Sequence, residues 1–271
     1  MALQENQHLI AEFATQGYIL CRKFFSESEI VELRDEITRV GRSLAKADYL
    51  NKDKMIFYSN VFLKSEYVQS FISQKKVVEL LRQFTGPDFW VRWDQCVVKG
   101  PGAPVFPWHQ DNAYSRLRDT HCQLWIGLTA MDEKNGGLWL QPGSHKSGLL
   151  PHRRVANHLE CKSKPGKEVL ISTEKGDIVL FSSFMLHYTG PNESSAERGA
   201  YVVEYLSLDY YDPLITPPYF IVAEGGMPAP RFARSHRGSA SFKNRMKYLP
   251  LQTKERCKDL MRGLVVQRSY D

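Results

Sequence analysis

The stretch GDIVLFSSFMLHYTGPN, residues 176–192, contains the pattern on which the fold prediction rests. A Gly-Asp turn precedes an apolar run, and a second short apolar run leads to His187 before Gly-Pro-Asn. Short apolar runs bounded by turn residues are typical of buried β-strands. We therefore expect His187 to follow a buried strand, with apolar residues on both sides of it.

Similar runs begin near Asp88 and continue through the second half of the chain. Turns rich in Gly, Pro, Asn and Asp separate them, which favours an all-β barrel or sandwich. The runs are FWVRWDQCVVKG, CQLWIGLTAMD, GLWLQPG, KEVLIST, GDIVLFSS and AYVVEYLSLDYY.

The first part of the chain is predicted to be helical. ENQHLIAEFATQG has apolar residues at helical spacing and ends at Gly17, YILCRKFF resembles a short strand, and KKVVELLRQFTG predicts another helix. SESEIVELRDEITRVGRSL opens with Ser26 and Glu29, which is a capping-box pattern. We expect one domain over 1–271, with a helical front at 1–87, a β core at 88–210, and a loop with a closing helix (LQTKERCKDLMRGLV) at 211–271.

Composition limits the classes of protein to which the chain can belong. Of its 271 residues, 42% are hydrophobic and 24% are charged, as in ordinary soluble domains. No apolar run is long enough for a membrane helix, and the N-terminus does not resemble a secretory signal. The five cysteines form no CxxC pair, which fits a reducing compartment, and we expect the cytoplasm.

The net charge of +6 is moderate and does not indicate a nucleic-acid partner. Only RFARSHRGSASFKNRMK, residues 231–247, is basic in a run. A solvated surface is the favoured interpretation of that run, and a basic rim that attracts an anionic substrate is the alternative. We expect a small-molecule substrate, no nucleic acid and no membrane, and the sequence leaves the oligomeric state open.

FPWHQDNAY, residues 106–114, places His109 and Asp111 two positions apart after a Pro/Gly-rich turn. On a strand, residues i and i+2 face the same side, so we expect the two side chains to point at one place. His187 is the best candidate for a third ligand from a distant strand. Two imidazoles and one carboxylate form the facial triad of non-haem Fe(II) oxygenases, which leaves one face of the metal open.

A bidentate cosubstrate such as 2-oxoglutarate would need a cation for its far carboxylate. Arg198 begins the run RGAYVVEYL, and a guanidinium can donate two parallel hydrogen bonds to a carboxylate. Thr189, two positions after His187, can add a hydroxyl. Lys99 shares an alternating face with Gln95, so it could contact substrate or lie exposed at the strand end.

HQD, NGGLWLQPGSHKSG, KGDIVLFSSFMLHYTGPNESSAERGAYVVEY and FATQGYILCRKFFSESEIVELRDEI together resemble the phytanoyl-CoA dioxygenase family of Fe(II)/2-oxoglutarate-dependent oxygenases, over roughly residues 8–209. The resemblance implies a mainly β fold with flanking helices, namely a double-stranded β-helix or cupin-type jelly roll. It also implies Fe(II) as cofactor, with 2-oxoglutarate and O2 as cosubstrates.

By the same resemblance, His109, Asp111 and His187 fall on the iron ligands and Arg198 falls on the residue that pairs with 2-oxoglutarate. The resemblance further implies that Thr189 supports that pair and that Gln95 and Tyr58 line the cosubstrate pocket. Independently, Tyr114 lies next to the expected ligands and is a candidate boundary of the substrate space.

The resulting prediction is a dioxygenase that oxidises a small molecule, most readily by hydroxylation, and releases succinate and CO2. A specialised metabolite is the expected substrate class, in natural product biosynthesis. Two alternatives are kept: a cupin-type metal enzyme that does not use 2-oxoglutarate, and a non-catalytic barrel binding protein.

Overall fold

Antiparallel sheets form the core of the computed structural model, which describes residues 3–44, 54–155, 158–163 and 166–250. The described chain forms two compact units, each made from two separate segments. The first unit contains residues 1–71 and 93–204, and the second contains 72–92 and 205–271. The expected closing helix at 251–265 lies outside the described residues, and the single-domain organisation stays a prediction.

The helices at the start of the chain agree with the sequence prediction. Helix α1 (Leu3–Gln16) ends before Gly17, whose φ of 85° suits a residue without a Cβ. Strand β1 (Tyr18–Cys21) follows, and then helix α2 (Glu27–Leu44). The capping box is present, because the Ser26 amide donates to Glu29 Oε2 at 2.8 Å and the Glu29 amide donates to Ser26 Oγ at 3.3 Å.

The larger sheet of the first unit has the strand order β1-β10-β5-β12-β3, and β2 also pairs with β3. The additional strands are β2 (Met55–Ser59), β3 (Phe89–Lys99), β5 (Cys122–Gly127), β10 (Ile178–Ser182) and β12 (Arg198–Ser207). The chain passes from one unit to the other within β3 and within β12. A 3-10 turn (Val61–Lys64) and helix α3 (Glu66–Ile72) follow β2.

The smaller sheet has the order β4-β11-β6-β9. Its strands are β4 (Phe106–His109), β6 (Leu138–Leu140), β9 (Val169–Ile171) and β11 (His187–Thr189). One apolar cluster combines Leu138, Leu140 and Ile171 of this sheet with Trp125 and Phe181 of the larger sheet. Two sheets that bury their facing sides against each other form the expected jelly roll, with its core between them.

Short elements lie between these strands. They are helix α5 (Asn112–Ser115), a 3-10 turn (Ser144–Ser147), and a two-stranded pair of β7 (His152–Val155) with β8 (His158–Cys161). All six β runs predicted from the sequence are confirmed as strands. The sequence did not predict β2, β7 or β8. All three are short, β7 and β8 contain several polar residues, and β2 is mostly half-buried.

The second unit contains helix α4 (Lys75–Thr85), which ends at Gly86 as predicted. The expectation of irregular loop after Asp212 is wrong, because β13 (Tyr219–Glu224) and β14 (Met227–Ala233) form a hairpin there. Proline is tolerated in β14 because that strand lies at the edge of its sheet. Helix α6 (Arg237–Ala240) follows, so the basic run is a folded segment.

None of the described helices is both long and apolar enough to cross a membrane.

Candidate metal centre

His109, Asp111 and His187 converge in the first unit. His109 closes β4, His187 opens β11, and the two residues are direct partners across this antiparallel pair. Asp111 Oδ1 lies 3.4 Å from His109 Nε2 and 3.7 Å from His187 Nε2. One ligand atom from each residue falls within 4.8 Å of the others, which is a spacing that a single ion can bridge. The predicted grouping of these three side chains is confirmed.

The reason given for the His109–Asp111 convergence needs a correction. The sequence prediction placed both residues on one strand, but β4 ends at His109. Asp111 directly precedes helix α5 and already has a helical backbone, with φ −60° and ψ −36°. The turn from strand to helix, and not strand alternation, brings its carboxylate back toward the imidazole.

Two backbone carbonyls orient the imidazole rings. His109 Nδ1 lies 2.8 Å from the Pro107 carbonyl oxygen, and His187 Nδ1 lies 3.0 Å from the Met185 carbonyl oxygen. A carbonyl accepts only from a protonated Nδ1, which leaves the Nε2 lone pair of each ring directed at the shared space. Backbone acceptors behind metal-binding histidines have this orienting role.

The protonation states also suit a metal. Burial alone would raise the pKa of Asp111, but His187 and His109 outweigh it and hold the pKa near 2. Burial, with help from His109, lowers the pKa of His187 to about 4. At neutral pH the carboxylate is therefore ionised and the His187 ring is neutral, which are the forms that bind a divalent cation.

Gln110, which lies between the two ligands in sequence, was not singled out from the sequence. Its side chain is fully buried, donates to the Gly148 and Phe184 carbonyls at 2.9 and 2.6 Å, and accepts from the Leu150 amide at 2.8 Å. All these partners are backbone groups of distant loops. Gln110 therefore holds the strand-to-helix turn in position, a role that no local sequence signal could have indicated.

Arg198 is fully buried at the start of β12. Its Nη2 donates to the Gly136 carbonyl, while Nε and Nη1 have no partner among the residues that the structure describes. The guanidinium carbon lies 5.5 Å from the centre of the Trp125 ring, and Trp125 Nε1 also has no described partner. Burial lowers the pKa of Arg198 to about 10, so it stays cationic. Buried donors without partners beside a cation fit a carboxylate ligand.

Thr189, Gln95 and Tyr58, also predicted for the cosubstrate pocket, lie on different strands and do not all face the same side. Thr189 ends β11 and is 6% exposed. Gln95 donates to Ser59 Oγ at 2.9 Å, across the β2–β3 pair. The structure does not bring Tyr58 to the same face, because Tyr58 pairs with Cys96 and its ring lies against Gly41 of α2. Their roles as cosubstrate contacts stay predictions.

Lys99 is buried, and backbone oxygens surround its ammonium group. Its Nζ donates to the carbonyls of Pro104, Thr189 and Gly190 at 2.8, 3.2 and 2.5 Å. The alternative of an exposed strand end is wrong, since the side chain is 0% exposed. An ammonium has three N–H donors, and each one here has an acceptor. Its predicted contact with substrate is not tested by these bonds.

Tyr114 lies near the ligands, with its ring centre 6.1 Å from that of His109. Its hydroxyl accepts from the Leu159 amide at 3.0 Å, and the side chain is partly exposed. A cleft nearby has both apolar and basic lining residues. The residues that line it are Ala113, Arg116, Leu149, Leu150, Pro151 and His152.

His121 is buried, although the sequence before it is polar. His121 is 1% exposed, and its Nε2 lies 3.6 Å from Glu204 Oε2, which is also buried. Its amide donates to Ser183 Oγ at 3.3 Å. The residues before His121 are polar, as in a surface loop, but the loop folds inward. Sequence polarity alone could not show this.

The donor set is two imidazole nitrogens and one carboxylate on one side of a shared point. Such a set suits Fe(II) and leaves positions open for other ligands. The buried cation at Arg198 suits the far carboxylate of a diacid ligand.

Comparisons with known proteins agree with this arrangement. The sequence model of the family Phytanoyl-CoA dioxygenase (PhyH) matches residues 13–200. A probable alpha-ketoglutarate-dependent hypophosphite dioxygenase of Stutzerimonas stutzeri is 28% identical, over 73% of this chain and 77% of that protein. The peroxisomal phytanoyl-CoA dioxygenase of Mus musculus is 24% identical, over 73% of this chain and 67% of that protein.

Among solved structures, the apo form of the non-haem monooxygenase ThoJ superposes with a TM-score of 0.71 at 18% identity, covering 94% of this chain and 99% of that one. This likeness supports the jelly-roll fold. The family match, which spans most of the chain and includes all three candidate ligands, decides the classification: the chain belongs to the phytanoyl-CoA dioxygenase family of Fe(II)- and 2-oxoglutarate-dependent dioxygenases.

Proposed function

We propose that this dioxygenase binds Fe(II) through His109, Asp111 and His187 and hydroxylates a small organic molecule. The observation that carries the proposal is the meeting of three ligand atoms within 4.8 Å of one another. The carbonyls behind His109 and His187 support it, since they direct both Nε2 atoms to the same point.

The cosubstrate pocket is proposed around Arg198. Its partnerless Nε and Nη1 would donate to the C5 carboxylate of 2-oxoglutarate, with Thr189 and Gln95 as additional contacts. Trp125 Nε1 adds another buried donor without a described partner. An unliganded pocket of this kind would bury a guanidinium without an anion, which is unfavourable unless an anionic ligand normally binds there.

When bound, Fe(II) and 2-oxoglutarate supply the oxidising chemistry, in which O2 oxidises both 2-oxoglutarate, giving succinate and CO2, and the substrate. The protein's contribution is to hold and orient. Asp111 stays ionised, the histidine rings keep one tautomer, and Arg198 fixes the far end of the diacid. The apolar side chains around Phe181 and Trp125 keep bulk water from the interior.

Metal analysis and a succinate assay test this proposal. Wild-type protein should bind about one Fe(II) per chain, and His187→Ala should lose the metal and succinate formation by at least ~1,000-fold. His158→Ala is the matched control, because His158 is a histidine of the same unit that is not among the three ligands. A His187→Ala protein that retains iron and turnover would contradict the ligand assignment.

The substrate is proposed to be a specialised small metabolite. The cleft beside the metal centre is lined mostly by loop residues, and specificity residues are commonly found in loops. An alternative is a small phosphorus oxyanion, favoured by Arg116 in the cleft and by the name of the Stutzerimonas stutzeri relative. Mass spectrometry of extracts incubated with Fe(II), ascorbate and 2-oxoglutarate separates the two, because only the true substrate gains an oxygen atom.

The cytoplasm stays the proposed compartment. Cys96, Cys122 and Cys161 are buried and form no disulfide. Thiols in this state agree with a reducing environment.

A further inference from the structure

Gln123 is a buried amide for which the proposed iron and cosubstrate sites give no role. It is 0% exposed, and neither its Nε2 nor its Oε1 has a hydrogen-bond partner among the described residues. A buried amide without hydrogen-bond partners destabilises the folded state. A group with that cost in the interior of an enzyme requires an explanation, and a ligand that pairs with it is the simplest one.

The side chain of Gln123 lies on the inner face of the larger sheet. Gln123 pairs directly with Phe181 on β10, so the two side chains lie on the same face of the sheet. Phe181 belongs to the cluster between the two sheets, and its ring centre lies 5.0 Å from that of His187. Gln123 is therefore next to the residue that packs on a proposed iron ligand.

Glu204 lies on the same inner face, from the other neighbouring strand. Ala200, Val202 and Glu204 are two positions apart on β12, so their side chains lie on the same face. Ala200 and Val202 belong to the interior cluster. The Leu128 amide donates to the Gly199 carbonyl, and this register, continued along the antiparallel pair, places Gln123 opposite Glu204.

His121 completes this wall. Its Nε2 lies 3.6 Å from Glu204 Oε2, and both side chains are buried. The three residues thus form one polar patch in an otherwise apolar interior, which we name the inner polar wall (His121, Gln123 and Glu204). Gln123 lies near the amino end of β5. It is two residues before Trp125, whose ring lies under the Arg198 guanidinium.

We infer that the inner polar wall binds the substrate, through an O–H or N–H group that donates to Glu204 and pairs with the Gln123 amide. Glu204 and Gln123 present acceptor oxygens at this wall, so the group that the wall binds carries a hydrogen-bond donor, such as a hydroxyl or an amine. This inference rests on the proposed function and specifies its substrate class.

The experiment uses the Fe(II)-loaded enzyme with a library of small molecules that share carbon skeletons and differ in head group: hydroxyl, ammonium, carboxylate and phosphonate. Succinate formation above the substrate-free rate is the readout. Hydroxyl or ammonium members should stimulate it. If no member with a hydrogen-bond donor stimulates, or if only carboxylates or phosphonates do, the inference is overturned.

Variants then identify the residues responsible. Gln123→Met and Glu204→Gln, which keep the side-chain volume, should lower kcat/KM for the stimulating compound by at least ~10-fold. Substrate-free succinate formation and 2-oxoglutarate affinity should stay within two-fold of wild type. Gln141→Met is the matched control, because Gln141 accepts from the Gly166 amide at an exposed site.

The melting temperature and the 2-oxoglutarate affinity of Gln123→Met separate a role in substrate binding from a role in folding or cosubstrate binding. Gln123→Met should melt no lower than wild type, because it removes an amide that has no bonds to lose. A selective loss of 2-oxoglutarate affinity in Gln123→Met would assign the amide to the cosubstrate and overturn the inference. Failure of the proposed function itself looks different, since wild type would then form no succinate at all.

Discussion

Lys99 and Arg198 are two buried cations of the first unit with opposite surroundings. The Lys99 ammonium has a backbone carbonyl for each of its three donors, whereas the Arg198 guanidinium donates to the Gly136 carbonyl and leaves Nε and Nη1 without described partners. Burial lowers the pKa of Lys99 to about 7, with a contribution from Arg198. A saturated cation supports the fold, and an unsaturated one is available to a ligand.

The two buried glutamines repeat this difference. Gln110 makes three bonds to backbone groups, while Gln123 makes none within the described part of the chain. Burial and residue type are the same in both cases, so neither property separates a structural residue from a binding residue. The number of satisfied donors and acceptors does separate them.

The largest expected effect is on Arg198. Arg198→Met removes two charge-assisted hydrogen bonds to 2-oxoglutarate, so its affinity should fall by at least ~100-fold, equivalent to about 3 kcal/mol. The free energy of unfolding should change by less than about 1 kcal/mol, because only the bond to Gly136 is lost. Anaerobic titration of the Fe(II) protein, followed by its visible absorption band, measures the affinity. Wild-type affinity in this variant would refute the contrast between the two cations.

Lys99→Met should give the reverse result. Three carbonyls, two of them buried, lose their donor, so the free energy of unfolding should fall by about 3 kcal/mol, while 2-oxoglutarate affinity should stay within a few-fold of wild type. Urea denaturation measures the first quantity and the same titration measures the second. Lys54→Met is a control at an exposed lysine. A large loss of affinity with unchanged stability would instead make Lys99 a cosubstrate contact.

Asp94 is an intermediate case, since Oδ2 accepts from Tyr201 and from the Phe62 amide while Oδ1 has no described partner. Burial raises its pKa to about 7, from an ordinary value near 3.8. Between these two pH values the folded state holds a proton that the unfolded state has lost, so stability falls as pH rises. We expect a loss on the order of 2 kcal/mol between pH 5 and pH 7.

Asp94→Asn should remove this pH dependence, because an amide does not titrate. Urea denaturation at pH 5, 6, 7 and 8 measures it, and Glu79→Gln, at an exposed position, is the control. A slope that is the same in Asp94→Asn and wild type would mean that Asp94 is ionised in the folded protein.

The smallest effect is expected for Tyr58. Its ring packs on Gly41, and its side chain lies on the other face of the sheet from Gln95, because Tyr58 pairs with Cys96. Tyr58→Phe keeps the ring, so KM for 2-oxoglutarate should change by less than about two-fold. A change of ten-fold or more would support the role in the cosubstrate pocket that the resemblance implies.

The sequence predicted the strands that have strong local signals, and it named three candidate ligands that the structure brings together. Apolar runs between turn residues predicted β5, β10 and β12, and His187 was placed correctly after a buried strand. The β13–β14 hairpin was missed because Pro and Gly in that segment resemble a loop. His121, Gln123 and Glu204 could not be grouped from sequence, because only strand pairing brings them together.

Gln110 has a consequence for motion. Its side chain connects the turn between two proposed iron ligands to Leu150, which lines the cleft. Its backbone amide donates to His152 Nε2, in the same cleft, at 3.2 Å. A ligand that displaces the Leu150 backbone must therefore either break the hydrogen bond to Gln110 or move the turn that contains Gln110. Ligand entry at this cleft is in this way coupled to the position of Asp111, a proposed iron ligand.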